Sequence, residues 1–138
     1  MKVVNYTESE DQDIRCATCG RMVKRAVALS DRPGFHGLDC AARLLGKPRS
    51  RKAMDDIEIA GMKARAEGLG VLFGERARAR FGVLPSKGTF KVDGVFSYKA
   101  YTEYVRSALM AVGGPLPEDV GSFRDAYWSA FIDTFGGR

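Results

Sequence analysis

All three cysteines and the single histidine of this chain lie within 25 consecutive positions, with the spacing Cys16-x2-Cys19-x16-His36-x3-Cys40. Zn²⁺ prefers four soft or borderline ligands in a tetrahedron, and Cys₃His is a common set in closed structural sites. A Cys-x2-Cys pair turns tightly enough for both sulfurs to face one ion. Gly20 follows directly and can supply the positive φ of that turn. The sequence therefore predicts one structural Zn²⁺ held by these four side chains.

The same side chains are compatible with other chemistry. Cys40 alone is typical of a small buried apolar residue, in which case the other two cysteines are incidental. Asp39 offers a carboxylate that can replace His36 as the fourth ligand. His36 and Cys40 can also form a nucleophilic pair, but this leaves the Cys-x2-Cys motif unexplained. Ligand spacing favours a metal site, and the scarcity of nearby acids favours a structural ion over a catalytic one.

A turn, a hairpin and a short helix must position these ligands. Residues 23–35 alternate weakly and contain a turn signal at 31–34, which predicts a small hairpin. A helix is predicted over 38–45, because Gly46 fits the position just past its end and a proline follows. Cys40 then lies in the first helical turn, where free N–H groups stabilise a thiolate.

The Cys16-x2-Cys19 turn, here called the knuckle, is followed by the predicted hairpin and then the helix. This order resembles treble-clef zinc fingers. The stretch HGLDCAARLLG is also similar to small zinc-finger proteins of phage and mobile-element origin, which carry an aromatic-Gly-x-Asp-Cys-Ala-Ala motif before a short helix. The resemblance covers residues 14–46. It implies a metal-binding finger and a phage or mobile-element origin, and it does not specify an activity.

The positive charge of the chain is concentrated around the predicted finger. The net charge is +5, yet residues 14–52 hold ten Lys or Arg against two Asp. Such a cluster neutralises phosphates, and arginine suits bidentate phosphate contacts. A solvated linker and contact with an acidic protein surface are the alternatives. We predict contact with a DNA or RNA backbone through eight basic residues: Arg21, Lys24, Arg25, Arg43, Lys47, Arg49, Arg51 and Lys52.

The remainder of the chain is predicted to be mostly helical. Ser50 is predicted to cap an amphipathic helix over 51–66, and GLGVLFG interrupts this helix before another short helical stretch. Asp93-Gly94 is a strong two-residue turn signal and predicts a β-hairpin near 89–97.

Two helices are predicted after this hairpin. The first begins near Tyr98 and ends at Gly113. The second runs to Gly136, with Ser122 and Asp125 forming a start that resembles a capping box.

Aromatic residues cluster over 90–135, and a hydrophobic core is their ordinary explanation. Tyr and Trp are also favoured as anchors of protein interfaces. An interaction surface is therefore the alternative interpretation, and its candidate residues are Tyr98, Tyr101, Tyr104 and Trp128.

The predicted fold class is α+β and mostly helical, with an N-terminal treble-clef-like zinc finger followed by a helical unit with one β-hairpin. The predicted division is a flexible acidic tail over 1–13, a zinc-finger module over 14–50 and a helical domain over 51–138. The N-terminus has no apolar region of the signal-peptide kind, and no stretch is long enough to span a membrane. We therefore expect a cytoplasmic protein without a membrane partner.

The leading prediction of function is a non-enzymatic, zinc-stabilised nucleic-acid-binding or nucleoprotein-associated regulator. No Gly-rich phosphate loop, nucleophile elbow or convergent acid pair is present, and no small-molecule substrate is expected. The alternative is an adaptor or inhibitor that docks on a larger bacterial nucleoprotein machine through its aromatic C-terminal helices. A phage-encoded inhibitor is one form of this alternative. A metal-dependent nuclease is disfavoured, because there is no second histidine and no convergent carboxylates.

Overall fold

A computed structural model describes all residues, Met1–Arg138, and the chain divides into two compact units. Unit 1 is Met1–Arg65 and unit 2 is Ala66–Arg138. The fold is α+β with four α-helices and small antiparallel sheets. The boundary lies inside a helix and not near residue 50, where the sequence pattern places it. None of the four α-helices combines the length and the hydrophobicity that a membrane span requires.

Unit 1 combines a three-stranded sheet, a two-stranded ribbon and a short helix. The sheet has the order β1-β4-β5, and β2 pairs with β3. In chain order its elements are β1 (Val3–Glu8), β2 (Ile14–Arg15), β3 (Met22–Val23), β4 (Arg25–Leu29), β5 (Arg32–Gly37), α1 (Leu38–Leu44) and the first part of α2 (Arg51–Phe81).

The prediction of a flexible acidic tail is wrong for β1, which pairs antiparallel with β4. Tyr6 pairs with Val27 in this ladder, and only 3% of its surface is exposed. The acidic residues nearby stay at the surface, and they give the segment a composition that is typical of a polar tail. Burying one aromatic ring and completing a backbone ladder outweigh the polarity of the segment.

The hairpin β4–β5 and helix α1 follow the predicted order. The turn lies at 30–31, slightly before the predicted position, because β5 already begins at Arg32. Helix α1 ends as predicted: Gly46 has φ +71°, and the N–H of Lys47 donates to the carbonyl of Ala42 over 2.8 Å. The positive φ of Gly46, which other residues adopt at a cost, lets the N–H of Lys47 satisfy this helix-end carbonyl.

The core of unit 1 is small, and a glycine on α2 lets it close. A Cβ on Gly61 would lie 2.8 Å from Val27 Cγ1 and 3.1 Å from Tyr6 Cβ. Helix and sheet therefore approach more closely than a side chain allows. The buried residues are Tyr6, Val27, Leu29, Ala41, Ala42 and Ile57.

Helix α2 starts as predicted but is not interrupted. Ser50 Oγ accepts from the N–H of Ala53 over 3.1 Å, which caps the first turn. The helix then continues to Phe81, through the glycine-containing stretch that was expected to break it. Interior glycine costs about 1 kcal/mol relative to alanine. Within unit 2 this cost is offset by close approach: a Cβ on Gly74 would lie 2.6 Å from Thr134 Cβ.

Unit 2 packs the end of α2 with a β-hairpin and two helices. These elements are β6 (Lys91–Val92), β7 (Val95–Phe96), α3 (Tyr98–Ala111) and α4 (Arg124–Phe135), with single 3-10 turns at Lys87–Thr89 and Pro117–Asp119.

The hairpin confirms the turn prediction, because Asp93 and Gly94 both have positive φ, at 54° and 79°. That pair of values is required by the type I′ turn, whose twist matches the flanking strands. The predicted capping box of α4 is wrong. Its N-cap is Phe123, with φ +65° and no side-chain hydrogen bond.

The aromatic cluster of unit 2 forms its core. Tyr127, Phe131 and Phe135 are fully buried along one face of α4. The Tyr127 hydroxyl donates to the carbonyl of Pro115 over 2.6 Å, so its polar end is satisfied. The sequence interpretation of these aromatics as core is confirmed for this set.

Candidate metal centre

The Cys-x2-Cys motif lies in the tight loop between β2 and β3. The N–H of Gly20 donates to the carbonyl of Cys16 over 2.9 Å, and the N–H of Cys16 donates to the carbonyl of Arg21 over 2.8 Å. Gly20 adopts φ +75°, as its place after the motif predicts. These bonds fold the loop back so that both thiols point to one side of the ribbon.

The third thiol comes from the first turn of α1. The sulfurs of Cys16, Cys19 and Cys40 all lie within 4.8 Å of one another, and none is in a disulfide. A tetrahedral ion with Zn–S bonds of about 2.3 Å holds its sulfurs roughly 3.8 Å apart. Binding therefore needs adjustments of no more than about 1 Å. The three cysteines can hold a metal ion in the arrangement that the backbone already provides.

The thiols of Cys16 and Cys40 ionise differently. Burial opposes ionisation of Cys16, but N–H groups of Cys19, Gly37 and Thr18 outweigh it and lower its pKa to about 7. Burial and the neighbouring thiols Cys19 and Cys16 raise the pKa of Cys40 to about 11. A metal ion must therefore displace at least the proton of Cys40 when it binds. The positive charge of the ion then attracts the thiolates, which would otherwise repel one another.

His36, the predicted fourth ligand, lies outside this group. It belongs to β5 and pairs with Val27, on the face that also carries Tyr6. His36 and Cys40 are four positions apart, but they do not share a helix face, because α1 begins only at Leu38. Strand neighbours alternate between faces, so it is the next position, Gly37, that faces the thiols.

The histidine supports the knuckle instead. Its Nδ1 lies 2.7 Å from Thr18 Oγ1, between the two cysteines of the motif. The ring is 3% exposed, and its Nε2 is buried without a hydrogen-bond partner. Burial, with help from Arg32, lowers the pKa of His36, which keeps the ring neutral at pH 7. Alternation along a strand was the signal in the sequence that could have separated this residue from the ligands.

A cavity of about 390 Å³ adjoins the cysteine group, and all three cysteines line it. Asp39, the alternative fourth ligand, also lines it, but its carboxylate is not part of the group. Instead Asp39 Oδ2 accepts from Arg49 Nη2 at 3.4 Å. The cavity wall is otherwise rich in basic residues.

The eight predicted basic residues are all exposed in unit 1. Three of them form ion pairs, between Arg25 and Glu58 at 2.9 Å, Arg49 and Asp39 at 3.4 Å, and Lys52 and Asp56 at 3.1 Å. Five form no ion pair: Arg21, Lys24, Arg43, Lys47 and Arg51. Five line the cavity beside the cysteines: Arg21, Lys24, Arg25, Arg43 and Arg49.

The four aromatic residues of the alternative interface have different surroundings. Tyr101 is buried, with its ring edge-on to Phe90 at 5.3 Å between centroids. Trp128 is partly buried and stacks on Phe131, while Tyr104 packs against Phe90 although its surface is partly exposed. Only Tyr98 is largely exposed, at 64%.

Comparison with known proteins gives no match: no family model fits the chain, and no curated protein or solved structure is similar to it.

Proposed function

We propose that unit 1 is a zinc-stabilised nucleic-acid-binding module of a non-enzymatic regulatory protein. One observation carries this proposal: the three sulfurs converge within the segment that holds the excess positive charge, and its predicted basic residues are all exposed. Thiolates select Zn²⁺ or Cu⁺ over harder ions. The order of knuckle, hairpin and helix, with Cys40 in the first helical turn, supports a treble-clef-like finger.

Zinc has a clear structural role in this proposal. The buried cluster of unit 1 is small, and a single core in a unit of this size rarely supplies more than about 3–5 kcal/mol of stability. An ion would join the β2–β3 loop to α1 and hold the basic residues on a fixed frame. Purified protein is expected to contain one zinc ion per chain, measured by elemental analysis. A preparation that refolds in zinc and retains none would contradict the proposal.

The phosphate contacts predict a specific dependence on salt. Five basic residues without ion pairs give a slope of about −4.5 in log affinity against log salt, from about −0.9 per phosphate contact. Between about 50 and 200 mM salt this corresponds to a loss of roughly 500-fold in affinity. Fluorescence anisotropy with labelled DNA and RNA duplexes measures it directly. Absence of binding at the lower salt would refute nucleic-acid recognition.

A matched pair of variants assigns the contact surface. Lys47→Glu/Arg51→Glu reverses two unpaired charges that do not line the cavity. We expect it to weaken nucleic-acid binding strongly and to leave zinc content unchanged. Lys91→Glu/Lys99→Glu makes the same change of net charge in unit 2 and should have little effect. Equal losses in the two variants would indicate a response to net charge only.

A protein-contact function has its own supporting observation. The hairpin β6–β7 and the start of α3 expose apolar side chains, including Val95 at 69% and Tyr98 at 64%. Exposed apolar groups that lie together are typical of protein-interaction surfaces. Co-purification from the native host, compared between the wild type and Val95→Asp/Tyr98→Ser, tests this alternative. A stoichiometric partner lost only from the variant, with nucleic-acid binding unchanged, would favour the adaptor.

A further inference from the structure

The cysteine group supplies three protein ligands, and a tetrahedral ion has four positions. The ligand atoms that lie together are the sulfurs of Cys16, Cys19 and Cys40. Closed structural zinc sites have four protein ligands, whereas three ligands with an open position are typical of sites that bind an exogenous group. His36 is held by Thr18 and Asp39 by Arg49. Neither His36 nor Asp39 is therefore placed as the fourth ligand of the ion.

The space next to the thiols is large enough for a small ligand. The cavity has a volume of about 390 Å³ and adjoins all three cysteines. This volume lies in the lower part of the range of roughly 300–1,000 Å³ that is usual for ligand pockets. An ion at the thiols would thus lie beside a solvent-accessible recess that all three cysteines line.

The charge of the recess selects the ligand. Three thiolates and one divalent ion carry −1 together. Five basic residues and one acid, Asp39, line the same cavity. The pairs Arg25–Glu58 and Arg49–Asp39 neutralise two of the basic groups. Arg21, Lys24 and Arg43 remain unpaired, so the wall attracts an anion even after the site charge is included.

We propose that the metal ion of this site keeps its fourth position open to the cavity and that a phosphate monoester occupies it. This inference rests on the proposed metal site, and it shares Arg21 and Arg43 with the proposed contact along the duplex. One phosphate oxygen ligates the metal, while Arg21 and Arg43 bind the others. Arginine presents planar paired donors that match phosphate oxygens, which favours phosphate over a simple halide.

Two sources share this chemistry: a free phosphate monoester, and the terminal phosphate of a nucleic-acid strand. The exposed residues Lys47 and Arg51, which do not line the cavity, would continue the contact along a strand. The experiment below separates the two sources.

Cobalt is the probe for the open position. The full-length chain is loaded with Co²⁺, whose visible ligand-field bands depend on the identity of all four ligands. We expect addition of inorganic phosphate, or of a nucleoside 5′-monophosphate, to shift these bands in a saturable way. Arg21→Gln/Arg43→Gln should weaken this titration about ten-fold or more, because hydrogen bonds to charged groups are being removed. Arg76→Gln/Arg78→Gln, in exposed positions of unit 2, is the matched control.

Several results would overturn the inference. Bands that do not respond to phosphate would show that the position is closed or that the anion does not reach the metal. Bands that change in His36→Gln or Asp39→Asn without added phosphate, together with a wild type that is indifferent to phosphate, would identify the protein ligand that closes the site. Failure to take up cobalt or zinc would remove this inference and the proposed zinc module together.

The comparison of oligonucleotides identifies the source of the phosphate. A strand with a 5′-phosphate that shifts the bands at lower concentration than the mononucleotide supports a nucleic-acid end. Equal or weaker response of that strand supports a free monoester. A strand with a 5′-hydroxyl must leave the bands unchanged, and a shift with that strand would contradict recognition of a monoester. A wild type that binds no duplex but gives a saturable cobalt titration with phosphate would refute the nucleic-acid part of the proposed function alone. A wild type that binds duplex while its cobalt bands ignore phosphate would refute this inference alone.

Discussion

Two glycines on helix α2 are expected to respond oppositely to replacement by alanine. A Cβ on Gly74 would lie 2.6 Å from Thr134 Cβ and 2.9 Å from the carbonyl oxygen of Phe131. A Cβ on Gly68, six residues earlier in the same helix, would meet no atom within 4 Å. Both positions belong to unit 2, so they are compared in the same folded environment.

The magnitudes follow from two opposing terms. Alanine improves helix propensity by about 1 kcal/mol at either position. At Gly74 the added methyl overpacks the contact with α4, which costs about 1–3 kcal/mol. One of the crowded atoms is a backbone oxygen and cannot rotate away, which places the cost in the upper part of that range. We expect Gly74→Ala to lower the free energy of unfolding by about 1–2 kcal/mol, and Gly68→Ala to raise it by about 0.5–1 kcal/mol.

Urea denaturation of the zinc-loaded chain measures this difference. Trp128 is the only tryptophan and stacks on Phe131, so its fluorescence follows the unfolding of unit 2. The slope of free energy against urea should be unchanged in both variants, because neither alters the surface exposed on unfolding appreciably. If Gly74→Ala is as stable as the wild type, the close approach of α2 and α4 is not the reason for a glycine at that position.

Three further outcomes are expected. Removal of zinc by a chelator should abolish hydrogen-exchange protection in the sheet of unit 1, because metal binding and folding are coupled; retained protection would contradict a structural role. Tyr127→Phe should cost about 1 kcal/mol in urea denaturation, since the carbonyl of Pro115 loses its buried donor. Arg106→Ala should cost under about 1 kcal/mol despite two hydrogen bonds to Glu118, because the pair is at the surface; a larger loss would indicate a packing role for the arginine stem.

The candidate site could be predicted from the sequence as far as its thiols. Cys16 and Cys19 are placed by a local turn, and Cys40 by a short helix with a clear glycine stop, so their types and spacing were sufficient. Ligand spacing did not separate His36 from these thiols, and strand alternation separates it only once the end of β5 is known. Its side-chain direction depends on where β5 ends and α1 begins, and that transition depends on pairing with β4.

Local chemistry alone determined much of the fold. The turn at Asp93-Gly94, the cap at Ser50 and the end of α1 at Gly46 each depend on a few neighbouring residues, and each was predicted correctly. In these cases the preferred φ values and the nearby hydrogen bonds satisfy the backbone without help from distant parts of the chain.

Tertiary structure decided the rest. β1 is a strand because β4 supplies its hydrogen bonds and a buried place for Tyr6, although its composition is that of a polar tail. Helix α2 continues through Gly70 and Gly74 because α4 packs against them, although each glycine disfavours a helix by itself. The cavity beside the thiols likewise exists only where the basic residues of separate elements meet. Each of these features depends on contacts between residues far apart in the chain, and no local pattern contains that information.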